Sequence, residues 1–403
     1  MYLMIDDMKI RSIDIHGFAV FFYIVAMYTL ERAETVMLYE TSQMLLMAVT
    51  LFVVISRQYI VANAYVLWQV FILFFIYGVG FIILFSGGTM QDDVGNVLRN
   101  AVMLLCMVQY FNNTKNREKT ISYILIAGLI ASAFVIYEYV NLGTFDYNLK
   151  YSTQYRLGED LIGGNVNITA IYLCLSFSAG IYLIFKEKRP LKNQVIYIII
   201  AVILMFAMIL TGSRKILIFT SIVFFMQALN NNRKKIFIVL LVFAAVYYCF
   251  INIDILYFYI GHKIDVFGGT MSLYEESDQG RNILRNSAFS LFLNNPFFGV
   301  GIGGVETYLG VYSHNNFVEI MASLGFIGFI SYYSIYVYTL VELRKTQITK
   351  ELRMFFISTI IALLVIEWFQ VTYSYKAPML MLALAASSIL PKNNYDNIVE
   401  NKL

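Results

Sequence analysis

The chain has 403 residues, of which 59% are hydrophobic and 14% are charged, and its mean hydropathy is +0.68. Soluble globular domains carry roughly 25% charged residues, so this composition excludes a soluble protein and predicts a polytopic membrane protein. The formal net charge of +3 does not indicate a nucleic-acid partner.

Apolar runs along the chain are long enough to cross a bilayer, because roughly 18–20 apolar residues in a helix span the hydrocarbon core. They lack the dyad alternation of barrel strands, so we predict an all-α fold with a single transmembrane domain over residues 1–403. About twelve transmembrane helices are predicted, at approximately 15–30, 36–55, 60–85, 94–111, 120–140, 161–185, 195–210, 216–229, 236–258, 316–343, 353–372 and 377–390.

The basic residues follow the positive-inside rule when the N- and C-termini are placed in the cytoplasm. About two thirds of the lysines and arginines then lie inside, including the clusters "KEKRPLK", "NNNRKK" and "RKTQITKELR". The first run has no small-residue cleavage site, so we interpret it as a retained anchor. This orientation places one long loop, residues 259–315, on the outer side, and loops of this length are usually functional or disordered.

Cysteine and metal motifs are not found. Cys106, Cys174 and Cys249 lie in apolar runs and form no C-x-x-C pair, so neither a disulfide framework nor a zinc site is supported. The sequence also has no P-loop, H-E-x-x-H, EF-hand loop or G-x-S-x-G. We therefore predict no metal and no cofactor, and an ATPase or metalloprotease is not supported.

Four ionisable residues fall inside predicted spans, namely Glu40, Arg99, Glu138 and Glu367. Charges in a bilayer are costly and usually pair or serve a function. Arg99 could form an ion pair with Glu367 or with Glu40, and the sequence does not distinguish these two pairings. We expect some of the four to pair and others to face a lumen.

Three arginines lie on the outer side against the charge rule. Arg214 stands in "LTGSRKIL", and Arg281 and Arg285 stand in "DQGRNILRNSAFSLFLNNPFFGVGIGG" with an i,i+4 spacing that puts both on one helix face. Guanidinium groups suit phosphate oxygens. The alternatives are a snorkelling arginine at position 214 and a basic amphipathic helix lying on the membrane.

The stretch "GVGIGG" (Gly299 to Gly304) formally matches G-x-G-x-x-G. We reject a dinucleotide fold, because "LNNPFF" is a poor preceding strand and no βαβ unit follows. A tight glycine turn that lets the backbone approach a ligand or another helix is the better interpretation.

A polar triplet, His314-Asn315-Asn316, opens the apolar run of "YSHNNFVEIMASLGFIGF", with Glu319 one turn inside it. Histidine titrates near neutral pH and is the commonest general base. Together with the outer arginines, His314 could act on a phosphorylated substrate. The alternative is a simple helix start with Asn315 as its N-cap.

Taken in order, "TGSRK", "GRNILRNSAFSLFLNNPFFGVGIGG" and "HNNFVEIMASLGFIGF" resemble the bacterial O-antigen polymerase and O-antigen ligase superfamily over roughly residues 210–330. The resemblance implies a lipid-carrier-dependent glycosyltransferase of the bacterial cytoplasmic (inner) membrane, with its active site facing the periplasm. Its partners would be the undecaprenyl-diphosphate-linked glycan as donor and acceptor, membrane lipid, and a chain-length regulator protein.

By position, the resemblance implies that Arg214 and Arg281 bind the diphosphate and that Arg285 shares this role. His314 would be the catalytic base or would orient the substrate. Asn315, Glu319 and Ser213 would support the site.

Three functions stay open. A polymerase joins carrier-linked repeat units into O-antigen, capsular or exopolysaccharide, and we favour it by analogy. A ligase moves the glycan to a lipid A core or another acceptor. A transporter or flippase for lipid-linked oligosaccharide would show internal repeats and a cavity that reaches both faces.

Overall fold

The computed structural model describes residues 2–85, 93–141, 157–158, 165–186, 191–231, 248–249, 252–253, 257 and 272–389. Within these ranges the chain forms helices joined by turns. In chain order the helices are α1 (Tyr2–Thr29), α2 (Val36–Arg57), α3 (Ala64–Phe85), α4 (Asp93–Tyr110), α5 (Thr114–Asn141), α6 (Val166–Phe185), α7 (Leu191–Leu210), α8 (Lys215–Asn231), α9 (Ser272–Asn294), α10 (Gly304–Leu309), α11 (Asn316–Lys345), α12 (Lys350–Glu367) and α13 (Lys376–Ser387), with a 3-10 turn at Ala33–Thr35.

The all-α prediction is confirmed for the described residues. Six helices are long and apolar enough to cross a membrane, namely α2, α3, α5, α6, α7 and α11, and shorter apolar helices lie at Ile15–Thr29, Lys215–Gln227 and Lys376–Ser387. These helices support a multi-pass membrane protein, whereas the number twelve and the orientation stay predictions. The predicted span 236–258 lies mostly outside the described residues, as do the start of the long loop up to residue 271 and the tail from 390 to 403.

Helix α6 lies at the centre of the bundle and packs against α5, α7, α8 and α12. At its crossing with α5, a Cβ on Gly128 would lie 2.1 Å from Oγ of Ser176, so a larger residue does not fit. Ser176 donates to the carbonyl of Ile124 at 2.8 Å. Small residues and hydroxyl bonds of this kind let membrane helices approach closely. This packing holds the middle of α6 closely against α5.

Helix α11 is broken at Gly325, where φ is 68° and ψ is −171°. A break in a helix leaves backbone groups without their usual partners. The segment Asn295–Gly301, which we call the N-P turn, follows α9 and supplies new partners. Its hydrogen bonds are Val300 N to Ala322 O (2.8 Å), Gly301 N to Ser323 O (2.8 Å) and Phe326 N to Pro296 O (2.7 Å).

Glycine makes this backbone contact possible. A Cβ on Gly325 would lie 2.3 Å from the carbonyl carbon of Phe297, and one on Gly299 would lie 2.4 Å from the carbonyl carbon of Ser323. Both glycines also have a positive φ, of 68° and 69°. The prediction that this glycine turn lets the backbone approach another helix is therefore confirmed, and the helix is α11.

One predicted span needs correction, and one of the two possible ion pairs of Arg99 is not formed. The span predicted at 353–372 ends as a helix at Glu367, and residues 368–375 form a turn instead. The Arg99 to Glu367 pair considered from sequence is not formed: Arg99 donates to Asn96 on its own helix at 2.9 Å. Glu367 accepts from three hydroxyls at 2.9–3.0 Å, those of Tyr333, Tyr336 and Thr372. Glu138 accepts from the backbone N–H of Gly158 at 2.8 Å.

Candidate functional site

The turn between α7 and α8 carries the G-S-R motif. Gly212, with φ of 62°, reverses the chain after α7. Ser213 is buried, and its Oγ donates to Oδ1 of Asn167 in the first turn of α6 at 3.2 Å. Arg214 and Lys215 follow and are half-buried. Ser213 thus anchors two consecutive basic residues beside the start of α6.

His314 precedes α11 in a backbone conformation that side chains rarely adopt. Its φ is 59°, which is left-handed, and non-glycine residues in this region cost about 1–3 kcal/mol unless the surroundings hold them. The ring lies 4.4 Å from the ring of Tyr312, centroid to centroid. His314 is half-buried, so the strained backbone holds an imidazole that still reaches the surface.

The residues on both sides of His314 hold this loop. Asn315 is the N-cap of α11, and its side chain accepts from the N–H of Val318 at 3.0 Å. Glu319 is buried and reaches back to accept from the N–H of Ser313 at 2.8 Å. Ser313 Oγ closes the loop by donating to the carbonyl of Asn315 at 2.9 Å. Asn315 is therefore the N-cap of α11, as the alternative interpretation of the sequence predicted. The hydrogen bonds of Asn315, Glu319 and Ser313 also hold the backbone of His314.

The turn after α12 provides a common support, the segment Trp368–Gln370, which we call the α12 end turn. Nδ2 of Asn315 donates to the carbonyl of Trp368 at 3.1 Å. Nζ of Lys215 donates to Oε1 of Gln370. The loop of His314 and the start of α8 are thus attached to the same three residues.

Charges from two other helices act on His314. Burial lowers the pKa of His314 to about 4, with further lowering by Arg281 of α9 and then by Lys215 of α8. Burial also raises the pKa of Tyr312, which Arg281 and a hydrogen bond with Asn165 oppose. At neutral pH the imidazole is uncharged and can accept a proton, while the cations beside it attract an anion.

The structure brings several of the predicted site residues together. Arg281 and His314 interact electrostatically, and the turn of Ser213 and Arg214 leads directly into Lys215, which also acts on His314. Asn315 and Glu319 frame the histidine loop. Arg285, one turn beyond Arg281, hydrogen bonds to Asn282 of its own helix. Within the described ranges, no three His, Cys, Asp or Glu side chains group closely enough to hold a metal ion.

Sequence reasoning gave no role to four residues at this end of the bundle: Asn165, Lys215, Tyr312 and Gln370. Lys215 and Tyr312 are adjacent or close to recognised motif residues, so position was a usable signal for these two. Asn165 and Gln370 are separated from the motifs by many residues, and only the packing of α6, α8 and α12 reveals them.

The comparisons agree with the motifs. Residues 199–333 match the family described as O-antigen ligase, and this segment covers about a third of the chain, from α7 into α11. No curated protein matches the chain. The matched segment contains the G-S-R turn, the Arg281 helix, the N-P turn and the His314 loop. Residues 199–333 are thus similar to the O-antigen ligase family, and this likeness covers the part of the chain that carries the candidate site.

Proposed function

We propose that this protein is a membrane glycosyltransferase that polymerises undecaprenyl-diphosphate-linked oligosaccharide repeat units on the outer face of the bacterial cytoplasmic membrane. One observation supports the proposal most directly: the half-buried His314, held in a left-handed backbone conformation, lies near Arg281 and Lys215. A base beside cations suits transfer of a sugar from a diphosphate leaving group.

The arginines and His314 would have different roles in the reaction. Arg214, Arg281 and Arg285 would hold the diphosphate of the donor glycan. His314 would accept the proton from the hydroxyl of the acceptor glycan, whose oxygen forms the new bond to the sugar carbon. The bond from that carbon to the phosphate oxygen breaks, and its electron pair leaves with undecaprenyl diphosphate. A positioned base of this kind contributes about 10²–10⁴-fold to a rate.

The supporting residues would act through His314 and Arg214. Asn315 and Glu319 fix the backbone on either side of the imidazole, and Ser213 fixes the turn that leads into Arg214. Their proposed role is positional, since each one is hydrogen-bonded within the protein. A donor carried in lipid and an acceptor carried by a second lipid would both reach the site from the membrane.

The second candidate is a ligase, the activity that the description of the matched family names. A ligase would use the same donor chemistry and would differ in the acceptor, a lipid A core or another final anchor. The residues proposed to bind the donor diphosphate would be the same in a polymerase and in a ligase, so they do not distinguish the two functions. The distinction lies in which glycan accumulates when the protein is inactive.

The test uses a strain that lacks the gene, complemented with the wild type or with His314→Ala at matched expression. Surface polysaccharide is resolved by gel laddering, and lipid-linked glycan is analysed separately. Lys345→Ala serves as a control, because Lys345 lies exposed at the opposite end of α11. We expect His314→Ala to yield single repeat units on their anchor and Lys345→Ala to yield the normal ladder.

Other outcomes would contradict the proposal in separable ways. Long chains that accumulate on the carrier without reaching the anchor would identify a ligase. Repeat units that remain accessible only from the cytoplasm would identify a flippase. A normal ladder with His314→Ala would remove the catalytic role of His314.

A further inference from the structure

The two halves of α11 fold back on each other at Gly325, and Tyr333 connects them. Asn316 is the first residue of α11 and lies before the break, whereas Tyr333 lies after it. In a straight α-helix, residues with this separation of 17 positions would lie about 25 Å apart along the axis. Nδ2 of Asn316 nevertheless donates to the hydroxyl of Tyr333 at 3.0 Å. The start of α11, next to His314, is therefore tied to the part of the helix beyond the break.

The direction of each hydrogen bond at Asn316 is fixed by its partners. Asn316 is buried, and its Oδ1 accepts from the backbone N–H groups of Thr372 and Tyr373 at 2.9 and 3.0 Å. Its Nδ2 therefore donates to Tyr333, and the oxygen of the Tyr333 hydroxyl accepts. The hydrogen of that hydroxyl is left for the carboxylate of Glu367, to which it donates at 2.9 Å. Asn316, Tyr333 and Glu367 thus form a chain of hydrogen bonds that runs in one direction.

The far end of this chain is a fixed carboxylate. Glu367 is buried, and it also accepts from the hydroxyls of Tyr336 and Thr372, each at 3.0 Å. A buried carboxylate with several hydroxyl donors has little freedom to turn, because each movement would leave a donor without its partner. Tyr333 therefore connects Asn316 to a rigid point at the end of α12.

The near end of the chain reaches the backbone of His314. The two residues that follow His314 are asparagines, and both attach to residues 368–375 after α12. Asn315 donates to the carbonyl of Trp368 at 3.1 Å, and Asn316 accepts from two N–H groups farther along the same turn. The left-handed φ of His314 persists only where the surroundings hold it. A movement of the Asn316 side chain would therefore shift the backbone that carries the imidazole.

Tyr333 also packs against the residues that follow His314. Its ring stacks on the ring of Phe317, with the centroids 4.9 Å apart and the planes at 14°. A phenylalanine at position 333 keeps this stacking and removes only the hydroxyl. The contribution of the hydrogen-bonded chain can thus be measured apart from the packing of the ring.

We propose that Tyr333 is a positioning residue for His314; the inference rests on the proposed function. The hydroxyl of Tyr333 holds Asn316 against Glu367 and so sets where the imidazole lies relative to the acceptor hydroxyl. Transfer of a proton to a base requires this alignment, and a displacement of about 1 Å can cost up to about 100-fold in rate. Tyr333 acts through Asn316.

The test compares the purified full-length wild type with Tyr333→Phe and Tyr336→Phe in lipid nanodiscs. The substrate is an undecaprenyl-diphosphate-linked repeat unit, and kcat, KM and Tm are measured for each protein. Tyr336→Phe is the matched control, because it removes a hydroxyl from the same carboxylate and leaves the bond between Asn316 and Tyr333 in place.

We expect both variants to lower Tm by a similar amount, since each loses one hydrogen bond to Glu367. Only Tyr333→Phe should lower kcat, by about tenfold, while KM for the lipid-linked substrate stays within about twofold of the wild-type value. A purely structural role would lower Tm and leave the kcat of the folded protein unchanged.

Two results would overturn the inference and leave the proposed function in place. The first is a wild-type kcat for Tyr333→Phe, which would show that the bond to Asn316 does not position His314. The second is an equal loss of kcat in both variants, which would trace the effect to Glu367 and its packing instead of Asn316. If the wild type itself transfers no glycan, the proposed function fails, and this inference fails with it.

Discussion

At the scale of single residues, His314 combines a strained backbone with an uncharged ring. Its left-handed φ persists because Asn315 and Glu319 bind the backbone on either side. Among the described residues, the charged groups that act on this loop include Arg281 from α9, Lys215 from α8, and the carboxylates Glu306 and Glu319, which act on the neighbouring Tyr312. Burial and the two cations together keep the imidazole unprotonated, which a general base requires.

This environment predicts a pH dependence. Because the pKa of His314 is lowered to about 4, the free enzyme should lose kcat/KM only as the pH falls through that value. Arg281→Met removes a cation that disfavours the imidazolium, so the pKa should rise and the acid limb should move to higher pH. The measurement is the pH profile of kcat/KM for both proteins with a lipid-linked donor.

The control for this profile is Arg344→Met, since Arg344 is exposed near the other end of α11. Its acid limb should coincide with that of the wild type. If Arg281→Met leaves the acid limb in place, either His314 is not the titrating base or Arg281 does not act on it.

At the scale of elements, the N-P turn and the broken α11 form one structure. The turn donates two backbone N–H groups to α11 and accepts one from Phe326, and it therefore satisfies groups that the break leaves open. The sequence predicted the start of α11 at the H-N-N triplet and a tight glycine turn at Gly299–Gly304. It did not predict the break at Gly325, because the apolar run around that glycine is continuous and the partner of the break lies about 25 residues earlier in the chain.

Gly325→Ala tests this contact. The alanine Cβ would lie 2.3 Å from the backbone of Phe297 in addition to requiring a φ of 68°. Gly310→Ala is a matched control, because Gly310 has a φ of 75° and no atom within 4 Å of the added Cβ. Gly310→Ala should lose about 1–2 kcal/mol to its left-handed backbone. Gly325→Ala should lose more, because its φ of 68° and ψ of −171° suit glycine almost alone and because the added Cβ meets backbone atoms.

The measurement for this pair is thermal unfolding of the detergent-solubilised proteins. We expect Gly325→Ala to have the clearly lower Tm. Equal Tm values for the two variants would show that the N-P turn can move away from α11 at little cost.

At the scale of the whole molecule, composition and apolar runs were enough to predict a multi-pass helical protein. The predicted span 36–55 matches α2 within a few residues, because this helix is apolar enough to cross a membrane. The predicted span 94–111 matches the bounds of α4, although this helix carries Asn96, Arg99 and Asn100 and is not among the six long apolar helices. The boundary at 372 was wrong, since the apolar residues after Glu367 extend the hydrophobic pattern into a turn. Asn165 and Gln370 reach the site because helices that are distant in sequence pack together. The residues next to them in the sequence do not indicate that they lie there.

The predicted orientation is tested by labelling engineered cysteines. Cys106, Cys174 and Cys249 are first replaced, and a cysteine is then introduced at Tyr308 or at Lys345, both exposed. The positive-inside rule predicts that position 308 faces outward and position 345 faces the cytoplasm. A membrane-impermeant maleimide should therefore label position 308 in spheroplasts, and position 345 only after permeabilisation. The opposite pattern would invert the orientation and place the site of His314 on the cytoplasmic side.

The bonds between the N-P turn and α11 also bear on how substrates move. Main-chain hydrogen bonds join the N-P turn, which follows α9 and Arg281, to α11, which begins just after His314, so we expect α9 and α11 to move together. The remaining links around the site depend on side chains, such as Asn315 with Trp368 and Ser213 with Asn167, and these can break one at a time. We therefore expect a gap for a bulky glycan to open where only side-chain bonds connect the helices. In that movement α9 and α11 would shift together, away from α6, α8 and α12.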